Sequence, residues 1–251
     1  MDRFKSFDGL SIAYGVAGEE EGGGAVLLHH GFASTAEINW LRPGVVAALV
    51  AAGRRVVYLD ARGHGRSDHP HEVAAYAGSA MARDVSALAD HLRLGSFDMA
   101  GYSMGSFVTM TVAVNDVRVA SCFLGGAGTG QMRVRQREVA ALIAAGLEAD
   151  DPRTVTDPSA RAFRNFADAT RQDRLALAAI QRADRAREGE EASRITVPTI
   201  VVNGAADTMV GAPDSLARLI PGAESLVVPG DHISAVTKAE FRQAIVAWMA
   251  R

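Results

Sequence analysis

Ser103 is the side chain from which this sequence is best read. It lies between two glycines in Gly101-Tyr102-Ser103-Met104-Gly105, a G-x-S-x-G pattern. The residues before it, 97–102, read as a short buried strand, and 104–114, rich in small and apolar residues, reads as a helix. At so sharp a strand-to-helix turn the glycines let the two elements approach closely, and the serine hydroxyl is left exposed at the strand's carboxyl end. Alone the pattern is weak, because only three positions are fixed and glycine is abundant. A serine attacks a carbonyl at neutral pH only when a base takes its proton. Histidine suits that task, with an unperturbed pKa of about 6.5. The imidazolium that forms then needs a carboxylate behind it.

The elements that must position such partners follow from the apolar pattern. Strands are expected at 3–7, 11–17, 25–30, 55–60, 97–102, 119–125, 199–203 and 225–228. The first two are joined across Asp8-Gly9, a hairpin signal, and 19–24 is a polar, glycine-rich loop. Helices are expected at 43–52 with Gly53 as its stop, and at 76–94 with Gly95 as its stop. Further helices are expected at 104–114, 214–219 and 238–249, the last with Phe241, Ile245 and Trp248 on one face. After the hairpin, strands and helices alternate, which predicts an α/β fold: a mostly parallel eight-stranded sheet with helices on both faces. The segment 128–194 interrupts the alternation with helices at 131–147, 159–170 (started by Asp157-Pro158) and 171–188. It reads as a small helical cap inserted after the sixth strand, leaving 1–127 and 195–251 as the core.

Ligands of such sheets bind at the carboxyl ends of the strands, so polar residues just after strands are the candidates. Asp207 follows strand 199–203 through Gly204-Ala205-Ala206, and His232 follows strand 225–228 through Pro229-Gly230-Asp231. Singly, Asp207 is compatible with a turn or N-cap aspartate, and His232 with a loop histidine. Their order along the chain, Ser, Asp, His, makes Ser103, Asp207 and His232 the candidate catalytic residues. Acyl transfer also needs donors for a developing oxyanion. Met104 would give its backbone N–H at the start of a helix, where the dipole helps. A second N–H would come from Gly31 or Phe32 after strand 25–30, and Phe32 is preferred by position, its ring belonging to the pocket wall or the core.

These motifs together resemble the alpha/beta-hydrolase fold superfamily almost end to end. His30-Gly31-Phe32 is similar to its oxyanion loop, and Asp60-Ala61-Arg62-Gly63-His64-Gly65-Arg66-Ser67 to its D-x-R-G-x-G-x-S segment. Gly101–Gly105 is similar to its nucleophile elbow, Asn203-Gly204-Ala205-Ala206-Asp207 to its acid loop and Gly230-Asp231-His232 to its histidine loop. Ser106 stands where many relatives carry another glycine, a change expected to touch packing only. The resemblance implies a hydrolase that needs no cofactor. Ser103, where an aspartate would signal epoxide-hydrolase or dehalogenase chemistry, leaves esterase, lactonase, thioesterase, C–C hydrolase and cofactor-free perhydrolase.

Beside a complete triad, His30 is expected to brace the oxyanion loop, and Asp60, Arg62, His64 and Asp68 to tie down their own loop. His69 and His71 have no companion ligands, so no metal site is expected. The composition is that of a globular protein, 48% hydrophobic and 22% charged with net charge −3, which argues against a nucleic-acid partner. Cys122 is the single cysteine, which excludes an intrachain disulfide. The start lacks a signal-peptide h-region, and the longest apolar run, 45–52, falls far short of the roughly 20 residues of a membrane span, so a cytoplasmic location is expected. The cap offers Met132, Leu142, Ile143, Phe163, Phe166, Leu175, Leu177 and Ile180, mostly as its own core, with balanced charge around them. Arg164 and Arg171 are more in keeping with solvated surface than with a substrate carboxylate. The expected partner is therefore a small or medium, fairly apolar ester, with an enol-lactone or a C–C substrate of aromatic breakdown second. A ligand sensor on the same fold is the rival of another class, since some relatives keep a triad yet signal.

Overall fold

The structure, a computed structural model, describes residues 1–19, 24–129, 135–184 and 191–251. Its centre is an eight-stranded sheet of β1 (Asp2–Lys5), β2 (Ser11–Ala17), β3 (Ala25–His29), β4 (Arg55–Leu59), β5 (Phe97–Tyr102), β6 (Val119–Gly125), β7 (Thr199–Gly204) and β8 (Glu224–Val228). Across the sheet the order is β1-β2-β4-β3-β5-β6-β7-β8. β2 pairs antiparallel with β1 and β4, and all later pairs are parallel. β1 ends at Lys5, short of the expected 7, because Ser6 already belongs to the turn: its N–H donates to the Leu10 carbonyl at 2.8 Å. Gly9 supplies the left-handed residue of that turn, with φ 88°.

The helices are α1 (Val45–Ala51), α2 (Ala80–His91), α3 (Met104–Asn115), α4 (Arg135–Glu148), α5 (Pro158–Thr170), α6 (Arg174–Arg182), α7 (Asp214–Ala217) and α8 (Ala239–Met249). Alternate residues of the buried strands feed two cores. Val26, Leu28, Val56, Ala100, Phe123 and Val202 meet Val45 and Leu49 of α1 and Phe241, Ile245 and Trp248 of α8. Leu27, Val57, Met99, Leu124 and Val201 belong to the opposite core, with Met81, Val85 and Leu88 of α2 and Val108, Met110 and Val112 of α3. Strands covered on both faces must be apolar at consecutive positions, which is why 25–28 reads as an unbroken run.

Three helices differ from the sequence expectation. The segment 76–94 divides into a short 3-10 turn at Val73–Tyr76 and α2, and α2 is closed by Arg93 (φ 54°), not Gly95. The Leu94 N–H then returns to the Ala89 carbonyl at 2.9 Å, a closure of Schellman type. Gly44 (φ 76°) separates a π turn at Glu37–Leu41 from α1, and Gly53 (φ 79°) follows α1 as expected. The segment 171–188 begins with Arg171 in the left-handed region, so α6 starts only after Asp173, whose carboxylate caps the Leu175 and Ala176 N–H groups at 3.0 Å. Met132 and the rest of 131–134, the end of the expected helix at 185–188, and residues 20–23 of the first loop lie outside the described residues.

Helices α4, α5 and α6 fall between β6 and β7 in the chain. Their apolar faces (Ile143, Ala144, Leu147, Ala167, Leu177 and Ile180) join the core on the α2–α3 side. Among the described residues no helix is long and apolar enough to cross a membrane.

Candidate active site

The chain passes from β5 to α3 through Ser103, held at φ 51°, ψ −113°, a conformation that costs a non-glycine residue on the order of 1–3 kcal/mol. Its surroundings leave it little choice. The Ser103 N–H donates to the Gly125 carbonyl at 2.8 Å, and its carbonyl accepts the Ser106 N–H at 2.9 Å. A Cβ at Gly101 would collide with the Gly105 carbonyl, and one at Gly105 with the carbonyls of His29 and His30. Both glycines are therefore demanded by close approach. Ser106 is fully buried, with its hydroxyl 3.0 Å from the Gly101 carbonyl and 2.8 Å from the Gly125 carbonyl. The departure from glycine thus adds a tie between helix and sheet.

The loops after β7 and β8 meet this elbow. His232 Nε2 lies 2.9 Å from Ser103 Oγ, and His232 Nδ1 lies 2.7 Å from Asp207 Oδ2. An ionised carboxylate only accepts, so Nδ1 carries the ring proton and Nε2 is left to accept from the serine hydroxyl. Asp207 is buried, and its other oxygen accepts the Met209 N–H at 3.0 Å and the Val210 N–H at 3.3 Å. The two loops are laced together: Ala205 N–H donates to the Val228 carbonyl at 2.8 Å and Ala206 N–H to the Gly230 carbonyl at 2.9 Å.

Three supporting groups were not singled out from sequence. The Tyr102 hydroxyl donates to the His232 carbonyl at 2.7 Å. The Asn203 amide donates to the Ala127 and Gly211 carbonyls, both at 2.9 Å, fastening the end of β6 to the acid loop. Asn39, in the π turn, accepts the Gly31 N–H at 2.8 Å. Only Asn203 carried a signal, as the first residue of the acid-loop motif.

Met104 opens α3, where an N–H has no intrahelical acceptor. Gly31 stands beside the nucleophile: a Cβ placed on it would lie 3.4 Å from Ser103 Cβ. Phe32 comes next, and no hydrogen bond to its N–H occurs among the described residues. Its ring meets the edge of His64 (5.9 Å between centroids, 85°) and Phe163 of α5 (5.4 Å, 67°).

The other candidates have structural partners. His30 Nδ1 donates to the Gly31 carbonyl at 2.8 Å and Nε2 accepts the Ala61 N–H at 2.9 Å, while burial pushes its pKa down to about 4. Asp60 accepts the N–H groups of Ala36 and Arg66, each at 2.9 Å; burial raises its pKa. Arg62 is fully buried and makes a two-pronged pair with Asp84, both contacts 2.7 Å. Asp68 accepts the Ser11 N–H at 2.7 Å. His71 meets Asp173 of the α6 cap at 3.0 Å, and no group of three potential metal ligands exists among the described residues. In the helical segment, Ile143, Leu177 and Ile180 are buried, Leu142 and Leu175 are exposed, and Phe163 and Phe166 are half-buried. Arg164 is buried, bound to Asp168 at 2.8 Å and to the Gly146 and Ala149 carbonyls at 3.1 and 2.6 Å, whereas Arg171 is exposed.

A sheet of this order with a strained serine turn at its centre defines a known class. The family model described as the alpha/beta hydrolase fold matches residues 24–142. The chain is 26% identical to a hydrolase from Pseudomonas aeruginosa of known structure, with a TM-score of 0.79 over 100% of this chain and 98% of that one. It has the alpha/beta-hydrolase fold. Among curated relatives, it is 32% identical to the dihydrolipoyllysine-residue acetyltransferase component of an acetoin cleaving system of Pseudomonas putida, over 91% of this chain. The aligned part spans 64% of that relative's length. It is 28% identical to 3-oxoadipate enol-lactonase 2 of Acinetobacter baylyi, over 78% of this chain and 79% of that protein.

Proposed function

We propose that the chain is a serine hydrolase that cleaves a small or medium, fairly apolar carboxylic ester through an acyl-enzyme. Ser103 attacks the ester carbonyl while His232 Nε2 takes its proton, and Asp207 orients the ring and stabilises the imidazolium. The backbone N–H groups of Phe32 and Met104 receive the oxyanion. His232 passes the proton to the leaving alcohol, then serves as base for the water that releases the acid and restores Ser103.

One observation carries this reading: the unbroken hydrogen-bond chain from Ser103 Oγ through His232 to Asp207, at 2.9 and 2.7 Å, at the carboxyl edge of the sheet. The substrate class rests on what surrounds it. The segment 128–194 acts as the cap, and through Phe163 it brings an aromatic ring onto Phe32. Ile233, next to His232, is 66% exposed, and Met209, near Asp207, is 47% exposed, so apolar side chains also stand on the loops that carry the histidine and the acid. Arg164 is bound within its own helices, so its guanidinium is not available to a substrate carboxylate. A lactone is the second reading, favoured by the similarity to an enol-lactonase. It needs the same steps, with the leaving alcohol still tethered to the acyl group.

The test is a panel of p-nitrophenyl esters, lactones, thioesters and diketones, run on wild type and Ser103→Ala. Many turnovers on short esters are expected from wild type. Ser103→Ala should lose about a thousandfold or more in kcat while keeping the near-UV circular dichroism of the folded protein. A variant that retains most of the rate removes Ser103 from the chemistry. Tight binding with a single slow turnover would point to a ligand sensor.

A further inference from the structure

The turn after β3 is held by groups brought from other parts of the chain. The Gly31 N–H is taken by Asn39 Oδ1 at 2.8 Å, the Ser34 N–H by the Gly31 carbonyl at 3.2 Å and the Ala33 N–H by His64 Nε2 at 3.1 Å. The Phe32 N–H is the one of these four consecutive donors without a hydrogen bond among the described residues. Ala33 sits at φ 58°, a left-handed conformation unfavourable for a residue with a Cβ, so the turn needs an anchor to keep its shape. His64 is placed to be that anchor. It is fully buried, and its Nδ1 lies 3.1 Å from the Arg62 carbonyl, which can only accept. Nδ1 therefore carries the proton, and Nε2 is an acceptor by necessity. Burial keeps the ring neutral by pushing its pKa well down.

The arm that carries His64 is rigid. Its own N–H donates to the Ala61 carbonyl at 2.9 Å, the Gly63 N–H to the Asp68 carbonyl at 2.9 Å, and the preceding Arg62 is locked to Asp84. The edge contact between the His64 and Phe32 rings adds a second hold on the same residue.

We propose that His64 is a positioning residue for the oxyanion site: by accepting the Ala33 N–H it fixes the turn in which the adjacent Phe32 N–H stays free for the substrate oxygen. The inference rests on the reading of Phe32 as an oxyanion donor. It gives the histidine of the second loop a task beyond holding its own loop, and it makes part of the oxyanion site depend on a residue that never touches substrate.

Two variants and one wild-type measurement test it. His64→Phe keeps a ring of similar shape without the acceptor, and His64→Gln can bring Oε1 to the place of Nε2. With p-nitrophenyl butyrate, His64→Phe should lose on the order of 30-fold or more in kcat, with KM within about threefold, since loss of an oxyanion donor costs about 100- to 1,000-fold. His64→Gln should stay within about fivefold of wild type. Phenylboronic acid, whose tetrahedral adduct on Ser103 presents an oxygen to the same donors, should bind His64→Phe more weakly by a similar factor. In the wild-type protein, the 15N spectrum of the His64 imidazole at pH 7.5 should show the Nδ1–H tautomer. A wild-type kcat in His64→Phe, a loss that His64→Gln shares in full, or an Nε2–H tautomer would each overturn the proposal. Ser103→Ala keeps the outcomes apart: if it is active the triad reading fails, and if it is inactive while His64→Phe is active only this inference fails.

Discussion

The Asp207 carboxylate has all its bonding arranged around one proton. Its Oδ1 is occupied by two backbone N–H groups, and among the described residues Oδ2 has a hydrogen bond only with His232 Nδ1. Asp207→Asn would keep the volume but place an amide against the ring. When the amide NH2 turns to His232, Nδ1 becomes the acceptor and Nε2 carries the proton, facing Ser103 with nothing to accept its hydrogen. The expected result is a fall in kcat of about a thousandfold or more, with KM little changed, measured by steady-state kinetics on the best ester of the panel. A rate within tenfold of wild type would show that the acid's charge and acceptor role are dispensable. Ser103, Asp207 and His232 were legible in the sequence because each follows an apolar run that announces a strand. Tyr102 and Asn39 were not. A tyrosine inside a strand and an asparagine in an irregular turn look the same whether or not a distant carbonyl or N–H awaits them.

Local chemistry wrote the element boundaries to different degrees. Asp157-Pro158 announced α5, and the Asp157 carboxylate accepts the Ala160 N–H at 2.8 Å. Asp157→Ala should therefore destabilise the fold by about 1 kcal/mol, seen as a small drop in Tm, and leave kcat unchanged. A large loss of activity would mean that the start of α5 is coupled to the site, through Phe163 and its contact with Phe32. The closures at Arg93 and Arg171 were invisible, because arginine carries no preference for the left-handed region; the surrounding bonds put it there. Nor could the apolar pattern show how the start of α6 meets the segment 60–71. That meeting is made by single groups, such as the Gly65 N–H on Gln172 Oε1 at 3.0 Å and the ring of His71 on Asp173.

Taken as a whole, the molecule carries a pH dependence in its histidines. His29, His30 and His64 are all fully buried and neighbour one another, the His30 and His64 rings 5.0 Å apart. Burial lowers the His29 pKa to about 3 and that of His30 to about 4, with the charge each would place on its neighbours adding to the effect at His29 and His64. An unfolded chain takes up these protons below about pH 6.5, whereas the folded chain refuses them until much lower pH. The stability they contribute is complete above about pH 6.5 and is lost as pH falls towards 4 and then 3. At pH 5 each deeply shifted group has lost about 2 kcal/mol, a large share of an ordinary domain's 5–15 kcal/mol. Asp60, whose carboxylate burial holds above its usual range, works in the opposite direction, so the comparison must isolate one ring. His29 is the best choice, because its Nε2 is buried without a hydrogen-bond partner among the described residues and it lies outside the Ser103–His232–Asp207 chain. Urea unfolding of wild type and His29→Leu at pH 7 and pH 5 gives the quantity directly. The wild type should lose about 2 kcal/mol more than the variant between the two pH values. Equal losses would mean that His29 titrates alike in the folded and unfolded chain, and that its burial adds nothing to acid sensitivity.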